Sequence, residues 1–330
     1  MKFTPALALF LITTAFAAAD NGLTLDKTPS GGVIVKLNGQ PFAEYIVDQA
    51  NKPYLAPVYG PTGKQMTRNY PMTTVDGEQH DHPHHRGIFF GHEDLGGTDF
   101  WAEKKTYEEA NTKKPGSGDA HMAKLGSTKH REYREVKVSG DSAVIFDVID
   151  WLDGTGKKLL EEERRMTFSS AGNTRIIDMD QELIASEGAV KIEDRKDAGL
   201  SIRLPTSMAV DSKLGGQIIT SEGKTDAEAW STHAKWCDYH GPVEGEMLGV
   251  AILNHPSSFG FPTGWHVRTY GLFTANAFAS KGFAKTAPDI AFELKAGEHL
   301  KLRHRLVFHS GDEKSAKIAE AWDAYAKAVK

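Results

Sequence analysis

The chain has 330 residues, 40% of them apolar and 25% charged, enough to bury a large core. With 44 acidic and 39 basic side chains the formal charge is −5, which leaves no electrostatic footprint for nucleic acid. Cys237 is the only cysteine, so an internal disulfide is excluded. Set near Trp236 and Tyr239, it reads as a small buried hydrophobe, not a nucleophile.

The first residues, "MKFTPALALFLITTAFAAAD", place Lys2 before an apolar run that ends in small residues. Ala15-Phe16-Ala17 and Ala17-Ala18-Ala19 both fit a cleavage site, so residues 1–19 are expected to be a secretory signal peptide. The run is short for a membrane span of about 20 residues, and no later segment is apolar enough to be one. The expected product, residues 20–330, is a single exported domain, periplasmic or secreted.

Short alternating runs follow. "GGVIVKLNGQPFAEYIVD" predicts two strands about the turn Asn38-Gly39-Gln40. From Arg131 to Ala185 a strand meander is predicted, turning at Ser139-Gly140-Asp141, Asp153-Gly154-Thr155-Gly156 and Ala171-Gly172-Asn173. Along it Val144, Phe146, Val148 and Trp151 mark a spacing of about two. "HLKLRHRLVFHSGD" repeats the pattern, with Leu300, Leu302 and Leu306 between basic residues. A weaker helical signal lies between Thr98 and Ala123. At the end, Ile318, Trp322, Tyr325 and Val329 form the apolar stripe of a helix, with Asp312 as its expected N-cap. No repeat or linker divides the chain. An all-β fold results, a large antiparallel β-sandwich with a C-terminal α-helix; a jelly roll or two smaller sandwiches are the alternatives.

Four segments carry candidate chemistry. The first, "HDHPHHRGIFFGHEDLGGTDFW", has five histidines between His80 and His92. Read as a strand, it would align His80, His82 and His84 on one face, a spacing that zinc or copper uses. Pro83 disfavours a central strand, so a rigid loop turning at Arg86-Gly87 into the strand from Ile88 is preferred, with the metal not favoured. There Ile88 and Phe90 point one way, Phe89 and Gly91 the other. In the second, "NHPSSFGFPTGWHVRTYGLFTANAF", a strand over Gly264–Leu272 would put His266, Arg268 and Tyr270 on one face. That face offers a proton acceptor, a fixed cation and a phenol, where exposed sheets usually carry Lys, Glu, Ser and Thr. "WSTHAKWCDYHG", Trp230 to Gly241, suits a sugar site or a sandwich core equally. In "EDRKDAGLSIRLP", Asp197 is the carboxylate best placed to assist a histidine. No G-x-S-x-G, P-loop, dinucleotide fingerprint, H-E-x-x-H or C-x-x-C occurs.

"HPHHRG" followed by "GGTDFW", and "HPSSFGFPTGWHVRTYGLFTANAF", resemble the two signatures of a bacterial protein family of unassigned function, often labelled "methane oxygenase PmoA". The label conflicts with the residues, because an integral membrane subunit needs several apolar spans. The family is similar in architecture to the β-supersandwich of galactose-mutarotase-like proteins, which implies a carbohydrate in a groove of one sheet. In mutarotase-type enzymes a histidine is the acid and a glutamate the base, and no glutamate here falls in a matching motif.

The expected function is therefore an exported carbohydrate-active enzyme: a hydrolase, lyase or epimerase using histidine acid–base chemistry on a glycan or modified sugar. His85, His266 and Asp197 are the catalytic candidates. Arg86 and Arg268 would bind hydroxyl or carboxylate groups, and Trp101 and Tyr270 would line the apolar side. His82, His84, His92, Asp99, His240 and Asn276 complete the expected substrate contacts. A non-catalytic glycan-binding protein and an enzyme with a metal on His80, His82 and His84 are the alternatives. In every case the ligand is a small molecule or oligosaccharide, and the two signatures should meet in one pocket.

Overall fold

A computed structural model describes residues 22–328; the expected signal peptide and Val329 lie outside them. Two eight-stranded antiparallel sheets dominate. The first runs, in spatial order, through Leu23–Lys27, Val33–Leu37, Gln40–Ile46, Tyr54–Val58, Ile88–His92, Ala198–Arg203, Leu272–Asn276 and Gly264–Val267. The second runs through Gln217–Thr220, Trp236–Val243, Glu246–Asn254, His299–Ser310, Thr174–Ile184, Lys158–Ala171, Ser142–Leu152 and Ser127–Ser139. A short pair, Val190–Ile192 with Phe292–Leu294, lies beside them.

Side-chain alternation makes the sandwich. Inward positions of both sheets, among them Val35, Ile88, Phe90, Leu200, Trp265, Ile145, Trp151, Ile177, Val250 and Phe308, join one buried cluster. The meander turns where its glycines allow. Gly140, Gly156 and Gly172 all have positive φ, between 55° and 86°. Cys237 is wholly buried in this core, and burial pushes its thiol pKa well up, so it is chemically quiet.

Two expected elements differ. Gly264–Leu272 is not one strand: pairing stops at Val267, and Arg268–Gly271 makes a turn closed by Gly271 N–H to Arg268 O at 3.0 Å. Gly271, at φ 97°, takes the conformation a side chain would resist. The C-terminal helix begins at Ile318, not directly after Asp312: Asp312 makes a cap contact, its carboxylate accepting from the backbone N–H and hydroxyl of Ser315, but on a separate turn that precedes the helix. Lys317, at φ 53°, then breaks the path before the helix starts. The helix lays Ile318 and Tyr325 against Ala251, Leu253 and Val307 on the outer face of the second sheet.

A polar network is sealed inside the sandwich. Glu162 is fully buried and accepts from Trp151 Nε1 (3.0 Å), Gln181 Nε2 (2.8 Å) and, in a two-point contact, Arg164 (2.7 and 3.0 Å). Removing the cation alone strands a buried carboxylate. Arg164→Met should therefore cost about 3–5 kcal/mol in urea unfolding, with part recovered when Glu162→Gln is added. Equal stability of the single and double variants would contradict this account.

Candidate functional site

The outward face of the first sheet carries a cleft of about 500 Å³. Register explains its floor. Tyr54, Phe89, Ser201, Thr274 and His266 lie in one row across five strands, on the side opposite the core. The next row is Gly91, Gly199, Asn276 and Gly264. A Cβ on Gly91 would sit 2.7 Å from Phe100 O, so the missing side chain lets the Phe100–Trp101 segment lie directly on the sheet. Just past the paired ends of neighbouring strands, Glu93 and Asp197 emerge together, joined by Glu93 N–H to Asp197 O at 2.9 Å.

The histidine loop is fixed from below by two guanidinium groups. Arg68 is fully buried and donates to the carbonyls of Tyr70, Gln79, Asp81 and His82 and to the Asp81 carboxylate. Arg203, 1% exposed, donates to Asp81 Oδ1 (2.7 Å), Gln79 Oε1 (2.9 Å) and His85 Nδ1 (3.4 Å). Asp81 also faces His82 Nδ1 at 2.7 Å, and these donors hold its pKa below the usual carboxylate value despite its burial. Above Arg203 the rings stack in a column: Tyr270 on His82 (5.3 Å), His82 on His85 (4.8 Å), His85 on Phe89 (5.9 Å). Burial, then neighbouring histidines and arginines, push the pKa of His85 far below its ordinary value. His85 is thus neutral, accepts from Arg203 at Nδ1 and carries its proton on Nε2.

His266 is the complementary imidazole. Its Nδ1–H donates to Lys196 O at 2.6 Å, so the lone pair is on Nε2. Burial brings its pKa down to about 4, against the pull of Asp197, whose Oδ1 lies 3.6 Å from Nδ1. Trp101 stacks on it at 6.2 Å and Trp230 meets it edge-on at 4.8 Å. Arg268 lies over Trp230 (4.6 Å) and Tyr270 (5.8 Å), with no carboxylate partner among the described residues.

The structure brings His82, His84, His85, Asp99, Trp101, Asp197, His266, Arg268 and Tyr270 to the cleft, so the two signatures share it. Four expected contacts are placed elsewhere. His92 alternates onto the core side of its strand, where its Nδ1 accepts from Asp94 N–H at 3.0 Å. Arg86 turns away to a two-point pair with Glu103 at 2.8 and 2.9 Å. His240 belongs to the second sheet. Asn276 acts behind the cleft: its amide donates to Arg195 O (3.1 Å) and Lys196 O (2.9 Å), which holds the carbonyl that orients His266. Asp99 lines the cleft but is fully engaged by the N–H groups of Trp101 and Ala102 and by Tyr107 Oη.

Glu93 is the group that sequence reasoning missed. Its pKa is raised, first by burial and then by Asp197 and Asp99. Carrying the Phe89–Gly91 alternation two residues further would have found it. Lys196, Thr106 and Tyr107 also line the cleft. His80, His82 and His84 do not converge as a metal set. His80 stacks on Tyr70 at 5.0 Å, and the His82 and His84 rings meet edge-to-face at 5.8 Å, with Nδ1 of His84 engaged by Thr106 at 2.9 Å.

Fold and cleft define an antiparallel sandwich protein with a histidine-lined site on one sheet. The chain belongs to the family described as "Family of unknown function (DUF6807)", whose model matches residues 32–323. No curated protein matches it. Among solved structures it is similar to the GH36 α-galactosidase AgaA of Geobacillus stearothermophilus, a substituted form in complex with stachyose, at 12% identity and a TM-score of 0.41. That match covers 88% of this chain and 40% of the galactosidase, so the chain spans about two-fifths of that relative's length. A galactose mutarotase related enzyme of Lactobacillus acidophilus matches at 8% identity and a TM-score of 0.32, over 87% of this chain and 97% of the other.

Five buried histidines are held neutral by burial: His84, His85, His92 (pKa about 3), His266 (about 4) and His304 (about 3). Each binds its proton more weakly folded than unfolded. Their contribution to stability is therefore complete above the ordinary value of 6.5 and is lost as pH falls toward 4 and 3. The loss approaches about 1.4 kcal/mol per pH unit for each group. Urea midpoints should drop steeply between pH 7 and pH 4.5; a flat profile would mean that these rings are charged in the folded protein.

Proposed function

We propose that the cleft binds a carbohydrate, one carrying a carboxylate or carbonyl group, and performs acid–base chemistry on it. One observation carries the reading: the cleft holds a free imidazole lone pair at His266 together with a carboxyl of raised pKa at Glu93. A base that stays unprotonated at neutral pH and an acid that keeps its proton longer than an ordinary carboxyl are the two parts such chemistry needs. His85 presents a fixed Nε2–H and serves as a neutral donor that polarises an oxygen of the sugar. In that environment it does not cycle between protonation states. Trp101 and Tyr270 cover the apolar faces of the ring, and the unpaired Arg268 meets its carboxylate or carbonyl oxygen. With the expected signal peptide, the protein would work outside the cytoplasm.

The test is a panel of oligosaccharides, uronic acids and keto-sugars, screened for binding by calorimetry and for product by mass spectrometry. On the substrate found, His266→Gln and Glu93→Gln should each lower kcat by about 10²–10⁴-fold while binding is retained. Arg268→Gln should weaken binding of the acidic sugars selectively. Binding with the sugar recovered unchanged would assign the cleft to recognition alone, and turnover unaffected by His266→Gln would overturn the proposed base.

A further inference from the structure

A second cluster of chemically capable side chains lies on the opposite side of the sandwich. Along the strand Trp236–Val243, Cys237 and Tyr239 enter the core, so Asp238 and His240 point out from the second sheet. There they are covered by the segment that leads into the C-terminal helix. Asp238 is wholly buried, His240 is 5% exposed and Glu313 8%. One ligand atom from each lies within 4.8 Å of the others. His240 Nδ1 stands 2.7 Å from Asp238 Oδ1 and 4.0 Å from Glu313 Oε2. His309, 1% exposed, contacts the other Asp238 oxygen through Nε2 at 2.6 Å. Room for these rings is made by Gly249, where a Cβ would come within 2.3 Å of the His309 ring.

Two features point to a ligand and not to an ordinary ion-pair cluster. Glu313 is nine-tenths buried, yet its nearest charged neighbour is His240 at 4.0 Å, too far for a hydrogen bond. Among the described residues no protein group donates to this carboxylate, which leaves it open toward the cluster for a cation. In addition, His309 holds the remote oxygen of Asp238, the kind of outer contact that orients a ligating carboxylate.

We infer that Asp238, His240 and Glu313 form a site for one divalent first-row transition ion of the zinc type. The ion takes Asp238 Oδ1, His240 Nδ1 and Glu313 Oε2, and replaces the proton that now lies between His240 and Asp238. His240 then ligates as the neutral imidazole with its proton on Nε2, and the Nδ1 proton of its charged form leaves to solvent. An imidazole in the set disfavours calcium and magnesium, which select oxygen ligands. Glu313 belongs to the covering segment and the other two ligands to the sheet, so the ion fastens the C-terminal helix to the sandwich.

The test uses the full-length protein, stripped with chelator and titrated with zinc, and then with cobalt for its d–d spectrum. One equivalent should bind, with a proton released that shows as a buffer-dependent heat. The melting temperature should rise by about 4 °C at zinc a hundredfold over Kd. Glu313→Gln, a near-isosteric change at the rim, should weaken zinc at least tenfold and alter the cobalt spectrum while the circular dichroism stays native. A variant with His82→Ala and His84→Ala in the catalytic cleft should keep the full equivalent. No zinc uptake by the stripped protein overturns the site, as does uptake that survives Glu313→Gln or is lost in the cleft variant.

Discussion

Two guanidinium groups buried beneath one loop set most of what this protein offers to a ligand. Arg68 and Arg203 would be expensive to bury alone, and Asp81 with a set of backbone carbonyls offsets the expense. The same contacts hold the chain between Gln79 and His85 in one shape, with His82 in a left-handed conformation at φ 46°. The cations also act through space, adding to the burial that keeps the histidine packed above them neutral. The residues that anchor the loop thus also contribute to its protonation state.

The site needs both signatures because each supplies what the other lacks. The histidine loop provides a donor of fixed tautomer, and the hairpin around Arg268–Gly271 provides an acceptor and a cation with no carboxylate partner among the described residues. Asn276 and the Lys196 carbonyl link the two through backbone, so the orientation of His266 depends on a residue that never reaches the cleft. A network of this kind is preorganised: the groups that face the cleft are held in one geometry by partners outside it.

Much of this was legible from residues. Turn chemistry at Ser139-Gly140-Asp141 and Ala171-Gly172-Asn173 marked the meander, because positive-φ glycines leave few alternatives between alternating strands. Pro83 and the Arg86-Gly87 turn marked the loop. The errors share a source in local context. His92 looked like its histidine neighbours, but strand alternation puts it on the core face. Arg86 looked like a substrate clamp, but Glu103 lies closer. Glu93 has no local signal of its partner, because Asp197 lies more than a hundred residues away and only strand pairing brings them together.

The glycine row Gly91, Gly199 and Gly264 bears on how the cleft can change. At Gly91 the Phe100–Trp101 segment lies at backbone distance, at Gly199 a Cβ would meet Ala275 O of the neighbouring strand at 2.1 Å, and at Gly264 it would meet the Phe283 ring at 2.7 Å. Even alanine there would disturb the floor or what lies on it. Redesign for a larger ligand therefore has little freedom from below. The adjustable parts are at the rim, in Arg268, Lys196 and the partly buried Tyr270 and Tyr107. Selection for new specificity in this scaffold is confined to its edges, while the depth of the cleft is inherited with the sheet.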